Sequence, residues 1–300
     1  MKLRRSPQTK MNFRLCLTSN YKMYSIFAFT LTVLLFYFSY QIFVELKPLQ
    51  VVFLDVGQGD SILIQKGTKQ ILIDGGPSGK TELAKLGNYL PYFDREIELV
   101  IATHPDRDHI GGLVDVARNY KIGKVIATGA EKDTAIFKEW KDLLAFNKIE
   151  TLEAMRKDEI SFGGAILKIV SPDSPVDFAA GDANNKSIVA RLDCENNSFL
   201  FTGDIESPAE KEILASGENI DADFLKVAHH GSKYSTSAEF LDAANPNEAV
   251  ISVGADNSYG HPTEAVLDAL EKRNVRIFRT DENGDIEYRC EKNVCSHISN

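Results

Sequence analysis

The stretch ELVIATHPDRDHIGGLVDVARN passes from an apolar, β-branched run to a helical pattern through a turn that holds His104, Asp106, Asp108 and His109 within six consecutive positions. A strand and a helix joined this tightly bring those four side chains to one end of a sheet, where loops carry chemistry on a rigid scaffold. The chain has only six histidines, and four of them fall in two clusters, this one and His229–His230. Core or surface histidines would be spread more evenly, so both clusters read as metal ligands. In an extended chain residues i and i+2 point the same way, which lets His104 and Asp106 share one ion. Asp108 and His109, at the turn into the helix, are then expected to serve a second. Gly111 and Gly112 let the start of the helix pack close to the site.

Two further segments end in ligand-type residues. SFLFTGDIE is an apolar strand closed by Thr-Gly-Asp, which delivers Asp204 to the same sheet edge, where one carboxylate can bridge two ions; alone, such a turn is common. LKVAHHGS is another apolar run, ending in adjacent histidines. Neighbours on a strand face opposite sides, so one of the pair is expected to ligate metal and the other to face substrate. Mixed His and Asp ligands around two ions ~3.5–4 Å apart suit in-line displacement at phosphorus.

Short β-branched runs at VVFLDV, SILIQK, KQILIDGG, KVIAT, AILKIVS, KSIVARL, SFLFTGD, ADFLKVA, EAVISV, VRIFRT and DIEYR predict strands. Helical spacing recurs in TELAKLGNYLPYF, TAIFKEWKDLLAF, SPAEKEILAS, SAEFLDAA and PTEAVLDALEKR. The interleaving implies an α/β sandwich, a mixed sheet arrangement covered by helices.

The N-terminus adds a different element. YSIFAFTLTVLLFYFSYQIF, residues 24–43, carries no charge and matches the ~20 residues that cross ~30 Å of hydrocarbon as a helix. A signal peptide is the rival, but its apolar region is shorter and no small-residue cleavage site follows. Lys2, Arg4, Arg5, Lys10, Arg14 and Lys22 precede the run and only Lys47 follows it before the first strand. The N-terminus is therefore expected in the cytoplasm. The organisation read from this is a basic cytoplasmic tail at 1–22, a transmembrane anchor at 23–44 and an extracytoplasmic domain at 48–300. A net charge of −9 argues against broad electrostatic binding of nucleic acid, yet bound metal adds local positive charge, so a nucleic-acid substrate is compatible. Cys290 and Cys295 would close a disulfide if the chain turns between them, and two free thiols are the alternative.

Taken together, ILIDGG, THPDRDHIGG, LFTGD and LKVAHHGS resemble the metallo-β-lactamase fold, a four-layer αβ/βα sandwich with a metal site at one edge. More narrowly, LDVGQGDSILI, NNKSIVARL, HHGSKYSTS and ISVGADNSYGHP resemble the hydrolase domain of ComEC-type DNA-uptake proteins. The resemblance implies a phosphodiesterase, a DNA nuclease using a metal-activated hydroxide. His104 and Asp106 would hold one ion, Asp108, His109 and His230 the other, and Asp204 would bridge. Asp108 and His229 would carry the chemistry, His229 facing the substrate phosphate as a proton donor, and Asp74 would support the site from behind. Asn184, Asn185, Ser187, Ser232, Tyr259 and His261 are the implied substrate-pocket residues.

Asp106 stands where the superfamily usually has histidine. A harder oxygen ligand shifts preference from zinc alone toward manganese, with magnesium a further option. The usual third-motif histidine is also missing, which leaves the first ion with few private ligands unless Asn184, Asp182 or substrate completes it. These departures argue against β-lactam hydrolysis. The chain lacks the many spans of an uptake channel, so translocation would need a partner channel protein. Two other readings compete: a phosphocholine or cell-wall polymer esterase, for which Tyr234 and Tyr259 would have to form a cation cage, and a non-catalytic partner of an envelope complex. Lys186, Lys226 and Lys233 are expected beside the site, where a nuclease would use them to grip the backbone.

Overall fold

The computed structural model describes residues 14–173 and 183–298. The chain divides into two units, residues 1–47 and 48–300. The first contains helix α1 (Arg14–Glu45), whose segment Tyr21–Val44 is long and apolar enough to be a candidate membrane span.

In the second unit two mixed sheets are stacked. Chain order runs β1 (Leu49–Phe53), β2 (Ile62–Lys66), β3 (Lys69–Ile73), α2 (Gly79–Tyr89), β4 (Glu96–Ala102), α3 (Arg107–Asn119), β5 (Lys121–Ala127), α4 (Ala135–Phe146) and β6 (Glu150–Glu153). It continues through β7 (Glu159–Phe162), β8 (Ala165–Ser171), β9 (Val189–Cys194), β10 (Asn197–Phe201), α5 (Ser207–Ser216), β11 (Phe224–Lys226), α6 (Ala238–Ala244) and β12 (Glu248–Ile251). It closes with α7 (Glu264–Glu271), β13 (Arg276–Arg279), α8 (Thr280–Asn283), β14 (Ile286–Glu291) and β15 (Val294–Ile298). The eight-stranded sheet has the order β15-β14-β1-β2-β3-β4-β5-β6, and the seven-stranded sheet β13-β12-β11-β10-β9-β8-β7.

Alternation within the strands sorts the core into three layers. Val51 and Phe53 of β1 with Ile71 and Ile73 of β3 face the second sheet, where Phe199 and Phe201 of β10 meet them. The intervening Val52 and Leu72 face outward onto Leu86 of α2, Leu113 of α3 and Trp140 of α4. On the far side Leu200 and Leu225 pack beneath Ile213 of α5, Phe240 of α6 and Leu270 of α7. Strands buried on both faces read as continuous apolar runs, which is why they are legible in the sequence. The result is the four-layer αβ/βα sandwich that the motifs imply.

Glycine is required where α3 meets the loop after β3. A Cβ on Gly112 would stand 1.9 Å from the Gly75 carbonyl oxygen, and one on Gly111 2.6 Å from that of Pro77. At Gly112 the same Cβ would also meet Glu82 of α2, a fully buried carboxyl whose two oxygens have no hydrogen-bond partner among the described residues. Burial pushes its pKa from 4.5 up to about 8. Below 4.5 the folded and unfolded states both hold the proton; between 4.5 and about 8 only the folded state does, so stability is lost as pH rises through that window, at ~1.4 kcal/mol per pH unit. Glu82→Gln is expected to remove this slope. Melting temperatures of the two proteins at pH 5 and pH 8 check it: the variant's advantage should widen at the higher pH, and a constant difference would refute the burial of a protonated carboxyl.

Cys290 and Cys295 face each other across the β14–β15 hairpin, directly opposed in its ladder and joined by a disulfide. Cys194 is buried with a free thiol.

Candidate metal centre

The strand ends β3, β4, β10 and β11 converge at one edge of the sandwich, and each delivers part of the site. β3 stops at Ile73, and the next residue, Asp74, adopts the left-handed region with φ 59°, a conformation costly for a non-glycine residue and usually held in place by its surroundings. Its carboxylate accepts bonds from the Thr103 N–H at 2.8 Å and the Thr103 hydroxyl at 2.6 Å. The third contact, His109 Nδ1 at 2.8 Å, must therefore be an N–H donor to a charged acceptor. That leaves His109 Nε2 as the nitrogen facing the site, able to offer a lone pair once the ring is neutral, the carboxylate–histidine support found behind metal ligands. His104 is held from behind by the Thr103 hydroxyl, 3.1 Å from its Nδ1, and by the Ser187 hydroxyl at 3.3 Å.

The adjacent histidines do not continue strand β11. They follow it in a tight turn, Ala228–Gly231, with φ of 48° at His229 and 55° at His230. Left-handed backbone, rather than strand alternation, separates their side chains. His230 is fully buried, and its Nδ1 donates to the Ser252 carbonyl at 2.8 Å. A carbonyl only accepts, so here too Nε2 is the nitrogen that faces the site and offers a lone pair once the ring is neutral. Behind His230 lies Asp60, whose Oδ1 is 3.4 Å from Nδ1 and whose Oδ2 pairs with Lys226 Nζ at 2.7 Å. Lys226 is fully buried and also donates to the Val227 carbonyl. The expectation that Lys226 grips substrate is thus corrected: the last position of β11 points its ammonium inward to brace the histidine turn.

Asp204 is the common centre. Its Oδ2 lies 3.2 Å from His109 Nε2, 3.4 Å from His230 Nε2, 3.8 Å from His229 Nε2 and 4.0 Å from His104 Nε2, and Asp108 Oδ2 is 3.4 Å from His230 Nε2. Asp108, His109, Asp204 and His230 present ligand atoms all within 4.8 Å of one another. Nε2 of His104, His109 and His230 and Oδ1 of Asp204 are buried without a hydrogen-bond partner among the described residues. Orphaned polar atoms of this kind are costly in a folded core, and a divalent cation is the partner that satisfies imidazole lone pairs and carboxylates at once.

The electrostatics agree. Burial opposes charge on His109 and His230, but the Asp204 carboxylate outweighs it, lifting His109 well above its ordinary value and His230 to about 10. Burial would likewise raise Asp108 and Asp204, yet the facing histidines hold both well below the carboxylate range. His104, where burial dominates, falls to about 4. Without metal, protons supply the positive charge that this pocket is built around; a bound cation would replace them.

The remaining sequence-derived residues divide. Asp106 stands at the N-cap position of α3 but its side chain does not cap the helix; both its carboxylate oxygens accept from Lys132 Nζ at 2.6 Å, a partner with no signal in the sequence. Ser187 Oγ, besides touching His104, accepts from the Asp204 N–H at 3.2 Å and so ties two ligands together. Asn185 Oδ1 accepts from the N–H groups of Glu206 and Ala209, capping the start of α5. Asn184 stands in the same short helical turn, partly exposed, while Asp182 lies outside the described residues. Ser232 Oγ accepts from the Tyr234 N–H within the histidine turn. His261 packs edge-on against His229 with centroids 5.6 Å apart, and Tyr259 stacks on His261 at the rim. Pro262 precedes the α7 cap Thr263 instead of opening the helix; Thr263 bonds back to the Gly231 carbonyl, locking this loop onto the histidine turn. Glu206, 3.1 Å from His229 Nδ1, is a further residue that no motif singled out.

Residues 54–255 match the family described as the metallo-beta-lactamase superfamily. Among curated proteins, ComE operon protein 3 of Bacillus subtilis is 31% identical over 264 residues, 80% of this chain and 33% of that protein. Recombination protein 2 of Haemophilus influenzae is 33% identical, with 85% and 31% covered, and Competence protein ComA of Neisseria gonorrhoeae 27% identical, with 78% and 31% covered. The chain thus spans about a third of the length of these relatives, and the resemblance to ComEC-like competence proteins read from the motifs holds. Among solved structures, YhfI of Bacillus subtilis, a metallo-beta-lactamase fold protein, superposes with a TM-score of 0.52 at 14% identity, covering 84% of this chain and all of that one. Sandwich, ligand cluster and family match over most of the folded unit agree, and the chain belongs to the metallo-β-lactamase superfamily.

Proposed function

We propose that this chain is a membrane-anchored, metal-dependent phosphodiesterase that cleaves DNA. The observation that carries the reading is the group of buried, partnerless ligand atoms around Asp204, with Asp108 beside them. Asp108, His109 and His230 would hold one ion and His104 and Asp106 a second, with Asp204 available to both. Asp106 would have to leave Lys132 to reach a second ion, so that site would be the weaker and would load reversibly. The donor set suits manganese or zinc, with magnesium as a further option. Divalent ions there would polarise a phosphoryl oxygen and activate an attacking water.

The protein's own groups supply the rest. His229 keeps partial exposure while Glu206 orients its ring, so Nε2 can hold a proton for the leaving oxygen. Tyr259, stacked on His261, and Lys233, over the Tyr234 ring at 5.0 Å, offer aromatic and cationic surface at the rim, which suits splayed bases of a single strand. Ser187, Ser232, Asn184 and Asn185 shape the wall. The candidate span anchors the domain, the basic tail keeps the N-terminus in the cytoplasm, and the Cys290–Cys295 disulfide accords with an oxidising outer side. A DNA-uptake channel protein is the partner such a position suggests, and one relative is named a competence protein.

The test is hydrolysis by the full chain in detergent with manganese, using labelled single-stranded DNA and a phosphocholine ester in parallel, each against Asp108→Ala. DNA cleavage that falls at least ~100-fold in the variant, more than loss of an outer-shell group costs, is the expected result. Cleavage of the phosphocholine ester with DNA left intact would replace the nuclease reading by the esterase one.

A further inference from the structure

Sheet registers define which loops share an end of the domain. β1, β3, β4, β5 and β6 run parallel to one another, and β2 and β14 run against β1, with Gln50 opposite Gln65 and Leu49 opposite Cys290. The chain therefore enters at Leu49 beside the β2–β3 hairpin, the loop leading into β4, the connection from α4 to β6 and the β14–β15 hairpin. The metal ligands follow the opposite ends of β4, β10 and β11, about 20 Å away for strands of this length.

The entry end has an unusual surface. Tyr92 and Phe93, in the loop before β4, are 81% and 91% exposed, their rings edge to face at 5.2 Å. Phe146, at the end of α4, is 83% exposed. Lys66 and Lys69 are opposed in the β2–β3 hairpin and Lys292 stands in the β14–β15 hairpin; among the described residues none of the three has an ion-pair partner. Exposed aromatic rings at the same end of the sheet as unpaired lysines match the chemistry of a bilayer interface, where amphipathic rings settle at headgroup level and cations meet anionic lipid. Only four residues, Glu45 to Pro48, separate the apolar segment from Leu49. They reach at most ~15 Å.

We propose that this entry end is a membrane-docking face, Tyr92, Phe93 and Phe146 inserting into the lipid headgroup region with Lys66, Lys69 and Lys292 on anionic headgroups. The proposal rests on the reading of the apolar helix as a span. Docking turns the metal centre away from the bilayer, open to polymer arriving from outside.

The test places tryptophan at the face of the full chain, reconstituted in phosphatidylcholine–phosphatidylglycerol vesicles with or without brominated acyl chains. The one native tryptophan, Trp140, is buried in α4 and gives the background. Phe93→Trp and, separately, Phe146→Trp should lose roughly half of their added emission in brominated vesicles, as expected for side chains ~5–10 Å into the boundary, whereas Tyr234→Trp at the metal-bearing end should lose none. Equal fractional loss of emission in brominated vesicles at Trp-substituted positions 93 and 234, in chains that float with the vesicles, would overturn docking and leave the span intact. A folded chain that fails to float would overturn the span and docking with it.

Discussion

Asp204→Asn is expected to strip the pocket of metal. The amide keeps the volume but removes the charge on which four imidazoles converge, and the two ligand groups that Asp204 would join lose their common anchor. Affinity should fall by at least ~100-fold, beyond the ~10–100-fold cost of an outer-shell partner, and hydrolysis should fall with it. A second signature appears without metal. His230 is held at about 10 mainly by Asp204 against the pull of burial, so its protonation stabilises the wild type fully below 6.5 and that contribution disappears as pH rises through about 10. The metal-free variant should therefore melt below the metal-free wild type at pH 6, with the gap closing toward pH 10. Elemental analysis after gel filtration and melting at both pH values check the two halves; wild-type metal content in the variant would contradict the assignment.

Asp60→Asn is expected to be the most destabilising conservative change in the domain. It leaves the Lys226 ammonium buried with only the Val227 carbonyl for company. Breaking a buried pair from one side costs ~3–5 kcal/mol, about 10 °C in melting temperature for a domain of this size. Lys226→Met should cost a similar amount by stranding Asp60, while the double variant recovers much of the loss because the penalty lies in the uncompensated charge. Thermal melts of the three variants measure the coupling, and single variants that melt with the wild type would show the pair to be unimportant. Because Asp60 also backs His230, the single variants should bind metal more weakly even where they remain folded.

Much of this was legible in the sequence, for physical reasons. Strands such as β3 and β10 are buried on both faces and leave no choice but continuous apolar residues. The helix after THPDRDH shows its stripe plainly. The unread strands are β6, β7 and β15, and all three are sheet edges. ETLE in β6 is exposed along its whole length and EISF in β7 opens on a charge, the composition that keeps edges from pairing with another chain. It also erases the period that marks a strand. In the site, ligand-type residues announced themselves through clustering. Their supports did not: Asp60 and Glu206 sit inside LDVGQGDSILI and SFLFTGDIE without standing out there, Lys132 lies in a segment with no motif, and all three acquire meaning only when the strand ends meet. Lys226 looked like a substrate contact because it adjoins the histidines, and one step along β11 turned it into the core.

The account's central claim is that hydrolysis depends on metal held around Asp204. The most direct measurement strips the full chain with chelator, confirms its fold by circular dichroism, and returns manganese in steps while bound metal and cleavage of single-stranded DNA are followed on the same samples. The expected result is no cleavage in the stripped chain and a rate that climbs with bound metal to saturation at about two ions per chain. A stripped chain that cuts as fast as the loaded one, or a folded and fully loaded chain that leaves every phosphodiester intact, would contradict it.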